Sequence, residues 1–296
     1  MSSWQGKSRG NILGYRIFMW SIRNLGLDFA YFLLLFVCGY FVFASGKAFR
    51  SIFYYFHTRL GLSSFRSVVN IFRNYYLFGQ VLVDKTAILS GGNHNIKFVL
   101  EGKEELLRMR DGGIIISGHI GNWEVGGKAL DFLQKKINLV VFDAEHQVIS
   151  KYMSDTLSDR NVSFIKIGDD FSYMLAIKEA LANKEIIALH GDRFVDGNQT
   201  VILDFLGEPA RFPTGPWHIA SHFNVPVSYV FAVKESRHQY RFFASPPKPV
   251  PSMKNLKTRN ETVIEPIREY IAELEKTVRN YPLQWYNYYD FWNTGQ

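Results

Sequence analysis

Cysteine is all but absent from this chain of 296 residues. Its one thiol, Cys38, excludes an internal disulfide and a multi-cysteine metal site. Lying within an apolar stretch, Cys38 reads as a small apolar residue. Several signatures of chemistry are also missing. There is no Gly-x-Ser-x-Gly elbow, which argues against a serine acyl-enzyme. Walker A and Gly-x-Gly-x-x-Gly patterns do not occur, and no His-Glu-x-x-His pairing is found among the eight histidines. No metal and no bound cofactor is therefore expected. Charge is sparse at 21%, with 34 basic against 27 acidic residues and a net charge of +7. The basic residues are scattered without a run or a nucleic-acid motif, so nucleic acid is not an expected partner. An anionic membrane surface fits the balance better. Internal repeats and low-complexity segments are absent too.

Aromatic residues are abundant, at 16%. Residues 1–24 are polar and basic (Lys7, Arg9, Arg16, Arg23), with Trp4, Tyr15, Phe18 and Trp20 interleaved. Phe29 to Gly46 then carries no charge. It stands at the short edge of a membrane-spanning length of roughly 20 residues, and spanning, lying in the interface and serving as a buried core helix all remain open. Arg23 before it and Lys47 and Arg50 after it leave the orientation unsettled. The chain divides into a membrane-anchor segment, 1–47, and a second unit, 48–296. The latter comprises a helical arm over 48–110, an α/β core over 111–245, and a C-terminal helix and aromatic tail over 246–296.

In the arm, Ile52, Phe53, Phe56 and Leu60, then Phe65, Val68, Val69, Phe72 and Tyr76, repeat at three- and four-residue spacings, which predicts helix. From Gly112 the texture becomes strand–helix alternation. Strands are expected over 114–116, 139–142, 164–167, 186–189 and 227–233, and helices near 146–160, 171–183 and 214–224. The expected fold class is α/β, a mostly parallel central sheet flanked by helices. Asp196-Gly197 signals a turn into a strand over 201–205. Residues 240–243 should pair antiparallel with 227–233. Residues 246–251 read as an extended proline-rich linker, and 258–280 as an amphipathic helix. The tail from Tyr281 to Trp292 suits a segment with one apolar and one wet side.

Three blocks carry candidate chemistry. The first is Ser117-Gly118-His119-Ile120-Gly121-Asn122-Trp123-Glu124. His119 should leave a strand end, with Glu124 in the first turn of the next helix, and ligands of open α/β sheets bind at that edge. A carboxylate that holds the imidazole in one tautomer would let its other nitrogen take a proton from a hydroxyl or amine. The alternative is a structural histidine bonded to a backbone carbonyl. The second block is His190-Gly191-Asp192-Arg193, after the strand 186–189. Arg193 there could clamp a phosphate, or Asp192 and Arg193 could form a structural ion pair. The third block runs from Gly207 to Pro216. In it Thr214 is placed as the N-cap of a helix whose first amides, around Gly215, suit an anion or an oxyanion, or form a plain capped turn.

In order, these blocks resemble the lysophospholipid acyltransferase superfamily, and most closely its lipid A biosynthesis acyltransferase branch. His-x4-Glu is matched by His119 and Glu124, the Asp-Arg pair by Asp192 and Arg193, and Phe-x-Gly-x-Pro-Ala by Phe205 to Ala210. The Pro-x-Gly turn is matched by Pro213 to Gly215, and Tyr-Pro-x-Gln-Trp by Tyr281 to Trp285. The resemblance implies transfer of a fatty acyl chain from acyl carrier protein or coenzyme A to a hydroxyl of a lipid A-like acceptor. The site would be on the cytoplasmic face of a bacterial inner membrane. It implies His119 as base and Glu124 as its partner, with Asn122, Trp123, Asp192, Arg193, Arg211, Thr214 and Gly215 toward substrate. Glycerophosphate-type members carry Glu where Thr214 stands, which disfavours a glycerol-phosphate acceptor. Pigment lipids of the aryl-polyene or flexirubin type, N-acylation of an amino lipid, and a catalytically silent lipid-binding protein are the alternatives.

Overall fold

The computed structural model describes residues 12–89, 96–142, 161–167, 172–195, 197–252 and 259–294. The expected helix near 146–160 and residue Asp196 lie outside them.

Four helical segments open the chain: α1 (Ile12–Leu25), α2 (Leu27–Ala44), α3 (Gly46–Tyr54) running into a π-turn (Tyr55–Arg59), and α4 (Ser64–Leu89). Beyond Asp28 in its first turn α2 is apolar all round, yet only one face is buried. Ala30, Tyr31, Leu34 and Cys38 form a stripe packed toward α4. Leu34 lies so close to Gly79 of α4 that a Cβ there would sit 2.9 Å from its Cδ2. The other side of α2 presents Phe29, Phe32, Phe36 and Tyr40 to the outside, the last two more than 60% exposed (66% and 68%). Among the described residues no single helix is long and apolar enough to cross a membrane. Leu27–Val42 and Gly46–Arg59 reach that length only together, with a 94° bend between them.

The expected helical arm is corrected at its end. Residues 97–101 form strand β1 (Lys97–Glu101), followed by the short helix α5 (Lys103–Leu107). The core adds β2 (Gly113–Ser117), α6 (Gly126–Ala129), β3 (Ile137–Phe142), β4 (Val162–Ile167), α7 (Ser172–Ala182) and β5 (Ile186–His190). A hairpin of β6 (Thr200–Phe205) and β7 (Glu208–Pro213) precedes α8 (Gly215–Phe223). Then come β8 (Pro226–Ser236), β9 (Gln239–Ala244), β10 (Lys248–Pro249) and α9 (Arg259–Asn280). The main sheet has the order β1-β9-β8-β2-β5-β3-β4, with β10 on β8. Its β8–β2–β5–β3–β4 portion is parallel, and β8 pairs antiparallel with β9. The proline-rich linker is partly a strand, since Lys248 and Pro249 pair with β8. Two prolines in β7 are tolerated because it belongs to a separate two-stranded ribbon rather than the sheet centre.

β2 is the middle of this sheet, and all five of its residues are buried. That accounts for its unbroken Ile114-Ile115-Ile116, because a parallel strand covered on both faces has no polar side. The aromatic tail is not half wet. Trp285, Tyr286, Phe291 and Trp292 are buried, and Phe205 packs against Trp285, Phe291 and Trp292 at centroid distances of 5.4–6.2 Å. Each such ring adds about 1.5–3 kcal/mol of burial, so the tail is a structural wall of the core.

Candidate active site

Strand register builds the site. β2 and β5 are parallel neighbours, with Ser117 opposite His190. Both chains turn off the sheet there, so the residues two places further on, His119 and Asp192, emerge side by side. The Asp192 carboxylate, 0% exposed, takes two bonds from His119. Oδ2 accepts from the backbone N–H at 2.8 Å, and Oδ1 lies 2.7 Å from ring Nδ1. Burial alone would raise the Asp192 pKa, but the charge and hydrogen bond of His119, with help from Arg193, hold it well below the usual carboxylate range. A carboxylate ionised at every working pH, seated on Nδ1, fixes both the plane and the tautomer of the ring, with the proton on Nδ1 and the lone pair on Nε2. The His119 side chain keeps 20% of its surface exposed.

The turn after His119 is fastened at both ends. Gly121 sits at φ +64°, and a Cβ there would lie 1.7 Å from the Ala232 carbonyl oxygen. Only glycine allows the chain to come that close to β8. Its N–H bonds the Gln284 carbonyl at 2.9 Å, the Asn122 N–H bonds the Ala232 carbonyl at 2.8 Å, and the Tyr286 N–H bonds the His119 carbonyl at 2.9 Å. Gly118 leaves room on the other side, where a Cβ would stand 3.3 Å from Asp192 Oδ2. The helix expected next is broken into a 3₁₀ turn (Trp123–Val125), the four residues of α6 and a second 3₁₀ turn (Asp131–Leu133). Gly126 and Gly127 in its first turns offer little helix propensity. Glu124 lies on the first of these 3₁₀ turns, and its side chain is outside the described set.

The remaining candidates separate into two groups. Asp192, expected toward substrate or paired with Arg193, gives both oxygens to His119. Arg193 bonds Asn287 Oδ1 at 2.8 Å and the Tyr286 carbonyl, and its guanidinium lies 5.9 Å from the Tyr289 ring centroid. It therefore ties the tail to the site. Asn122, expected toward substrate, points inward, 1% exposed, and donates to the Val81 carbonyl and to Tyr240 Oη, both at 3.3 Å. Trp123 stands T-shaped, 4.5 Å from the His190 ring. Thr214 occupies the N-cap position of α8 but makes no capping bond. Its hydroxyl donates instead to the Gln199 carbonyl at 3.3 Å. Gly215 is exposed at the start of α8 and Arg211 lies on β7. Among the described residues no hydrogen bond joins Arg211, Thr214 or Gly215 to His119 or Asp192.

Sequence reasoning missed the part played by His190. Its ring centroid lies 4.3 Å from that of His119, at an interplanar angle of 32°. Burial, and next the charge on His119, push its pKa well below the ordinary imidazole value, so it stays neutral beside its neighbour. His119, His190 and Asp192 each offer a ligand-type atom within 4.8 Å of the others. Both oxygens of Asp192 are already engaged by His119, so the arrangement suits the handling of a proton. An open groove of about 760 Å³ between β6 and the flank of α9, lined by Ile202, Leu203, Arg268, Ile271, Lys276 and Arg279, contains none of these residues.

Compared with known proteins, residues 67–294 match the family model described as bacterial lipid A biosynthesis acyltransferase. Among solved structures, the chain is similar to the 1-acyl-sn-glycerophosphate acyltransferase PlsC from Thermotoga maritima. Identity is 16%, coverage is 86% of this chain and 98% of that one, and the TM-score is 0.41. No curated protein matches.

Proposed function

The chain belongs to the bacterial lipid A biosynthesis acyltransferase family and is an acyltransferase, and from that premise we propose that it moves a fatty acyl chain from a carrier thioester to a hydroxyl of a lipid A-like or related glycolipid at a membrane surface. The observation that carries this reading is the Asp192-held imidazole of His119, which retains some exposure at the carboxyl edge of β2.

In this reading Nε2 of His119 removes the proton of the acceptor hydroxyl as its oxygen attacks the thioester carbonyl. The tetrahedral oxyanion forms, the carbon–sulfur bond breaks, and the proton on Nε2 passes to the departing thiolate. Asp192 stabilises the transient imidazolium through Nδ1, and Glu124 is the second carboxylate assigned to the same ring. The Gly215 N–H at the exposed start of α8 is the donor assigned to the oxyanion, since the Thr214 N–H is bonded to the Gln199 carbonyl and Pro216 has none. Arg211 and Trp123 are assigned to substrate, with acyl carrier protein or coenzyme A as the donor. The lipid surface would meet the outer face of α1 and α2, where Trp20 is exposed and where Phe32, Phe36 and Tyr40 are exposed between the exposed cations Arg23 and Lys47. Aromatic rings flanked by cations suit the headgroup layer of the cytoplasmic leaflet.

A general base of this kind supplies about 10²–10⁴ in rate. His119→Ala should therefore abolish acyl transfer from a labelled thioester to a bacterial lipid extract while the protein melts normally. Transfer within a few-fold of wild type would remove His119 from the reaction. Alkali-stable product would redirect the acceptor from a hydroxyl to an amine.

A further inference from the structure

A buried ionic knot lies behind the catalytic turn, and nothing in the reaction uses it. Asp84 of α4 is 0% exposed. Its carboxylate receives hydrogen bonds from Tyr31 of α2, Tyr240 of β9 and Lys234 of β8. The Lys234 ammonium, 3% exposed, also donates to Tyr31 Oη at 2.9 Å and lies 4.9 and 5.4 Å from the ring centroids of Tyr31 and Tyr240. Taking a carboxylate and an ammonium out of water is expensive, and apolar residues of the same volume often stabilise as well or better. Stability is thus a poor account of the knot, whereas a fixed geometry is a better one.

What the knot fixes can be traced atom by atom. Tyr240 Oη accepts from Asn122 Nδ2, and Asn122 follows His119 by three residues. Asn122 is held at the same time by α4 through Val81 and by β8 through Ala232. Lys234 is clamped across the tail, since its N–H donates to Gln284 Oε1 at 2.8 Å and its carbonyl accepts from Gln284 Nε2 at 2.7 Å. The Gln284 carbonyl in turn receives the Gly121 N–H. At the other end, Tyr31 sits on α2, whose opposite face is the exposed row of Phe29, Phe32, Phe36 and Tyr40. The first turn of α2 is tied to the β8–β9 turn as well, by Asp28–Arg237 at 3.0 Å.

We propose that Tyr31, Asp84 and Tyr240 are positioning residues that pass the seating of α2 on a lipid surface to the turn bearing His119. The proposal rests on the membrane reading given above. Among the described residues nothing covers the outer face of α2, and in the proposed coupling a bilayer supplies the contact that holds that side of the helix. With a bilayer its position is fixed, Asp84 and Tyr240 are fixed with it, and the turn from Gly118 to Asn122 tightens.

The experiment is hydrogen–deuterium exchange of the peptide covering residues 117–125, with and without vesicles of phosphatidylethanolamine and phosphatidylglycerol. Three amides report directly: His119 to Asp192, Gly121 to Gln284 and Asn122 to Ala232. Wild type should sediment with the vesicles and exchange about tenfold more slowly in this peptide, while β3 and β4 stay unchanged. Tyr31→Phe keeps the ring and removes only the hydroxyl. It should still sediment but lose the slowing, with a melting temperature lowered by a few degrees because two buried charges lose a partner. Phe36→Ser, outside the knot and on an exposed position, should lose both sedimentation and slowing. Wild type that sediments without any change in the peptide, or Tyr31→Phe that responds like wild type, overturns the coupling alone. Wild type that fails to sediment overturns the membrane reading and the coupling with it.

Discussion

Asp192→Asn is the sharpest perturbation of the proposed chemistry, because it keeps the shape of a fully buried side chain and removes its charge. In the native site both oxygens accept, one from the His119 N–H at 2.8 Å and one from ring Nδ1 at 2.7 Å. An amide cannot accept on both sides. With its oxygen toward the ring, its NH₂ faces the backbone N–H, and two buried donors oppose each other at a cost of about 1–3 kcal/mol. With its NH₂ toward the ring, Nδ1 must give up its proton, Nε2 carries it, and the base is lost. Either arrangement also removes the anion that stabilises the imidazolium. The rate of acyl transfer should fall by about 10²–10⁴, the worth of a positioned general base, with a melting temperature lowered by only a few degrees. Single-turnover transfer from a labelled acyl thioester to a bacterial lipid extract measures the first, and thermal unfolding the second. Transfer within about fivefold of wild type would refute the claim that Asp192 sets the tautomer. Glu124→Gln in the same assay should cost less than Asp192→Asn, and the reverse order would give the orienting role to Glu124.

Two further predictions concern stability. His190 is held neutral in the folded chain and titrates near 6.5 when unfolded, so protons bind preferentially to the unfolded state below that pH. Stability should therefore be complete above about pH 6.5 and fall as the pH drops below it, by up to about 1.4 kcal/mol per unit from this group. Asp192, whose pKa is depressed, should add a second loss only below about pH 4. Urea unfolding of wild type and His190→Phe across pH 5–7 separates the two, since the upper slope should flatten in the variant. Gly121→Ala should destabilise by several kcal/mol and abolish activity, because its Cβ would stand 1.7 Å from a carbonyl oxygen at φ +64°. A variant that melts like wild type would show that the turn adapts.

The strands flanking the site were legible because burial on both faces of a parallel sheet leaves unbroken apolar runs, as in Ile114–Ile116 and Ile186–Leu189. β1 was hidden. Its alternation of Phe98 and Leu100 covers five residues beside a long helical pattern, and the edge position leaves every second residue exposed. β7 was hidden by Pro209 and Pro213, which read as a turn. The bond from His119 to Asp192 was hidden for a simpler reason. Adjacent residues on a chain leaving a strand point apart, so Asp192 and Arg193 serve different partners. The 73-residue offset shared by Ser117–His190 and His119–Asp192 was present in the sequence but has meaning only once β2 and β5 are known to be neighbours. The knot at Asp84 draws on positions 53 and 150 residues away and leaves no local signal.

The clasp between the turn at His119–Gly121 and the segment Gln284–Tyr286 has a consequence for the order in which the enzyme comes alive on the ribosome. β2 and β5 can pair while synthesis is still under way, and the histidine can meet its aspartate then. The turn itself stays open until residues some 165 positions later have left the exit tunnel and closed over it. Pairing of the histidine with its aspartate is thus not enough to complete the site, which also needs this closure by a segment far along the chain.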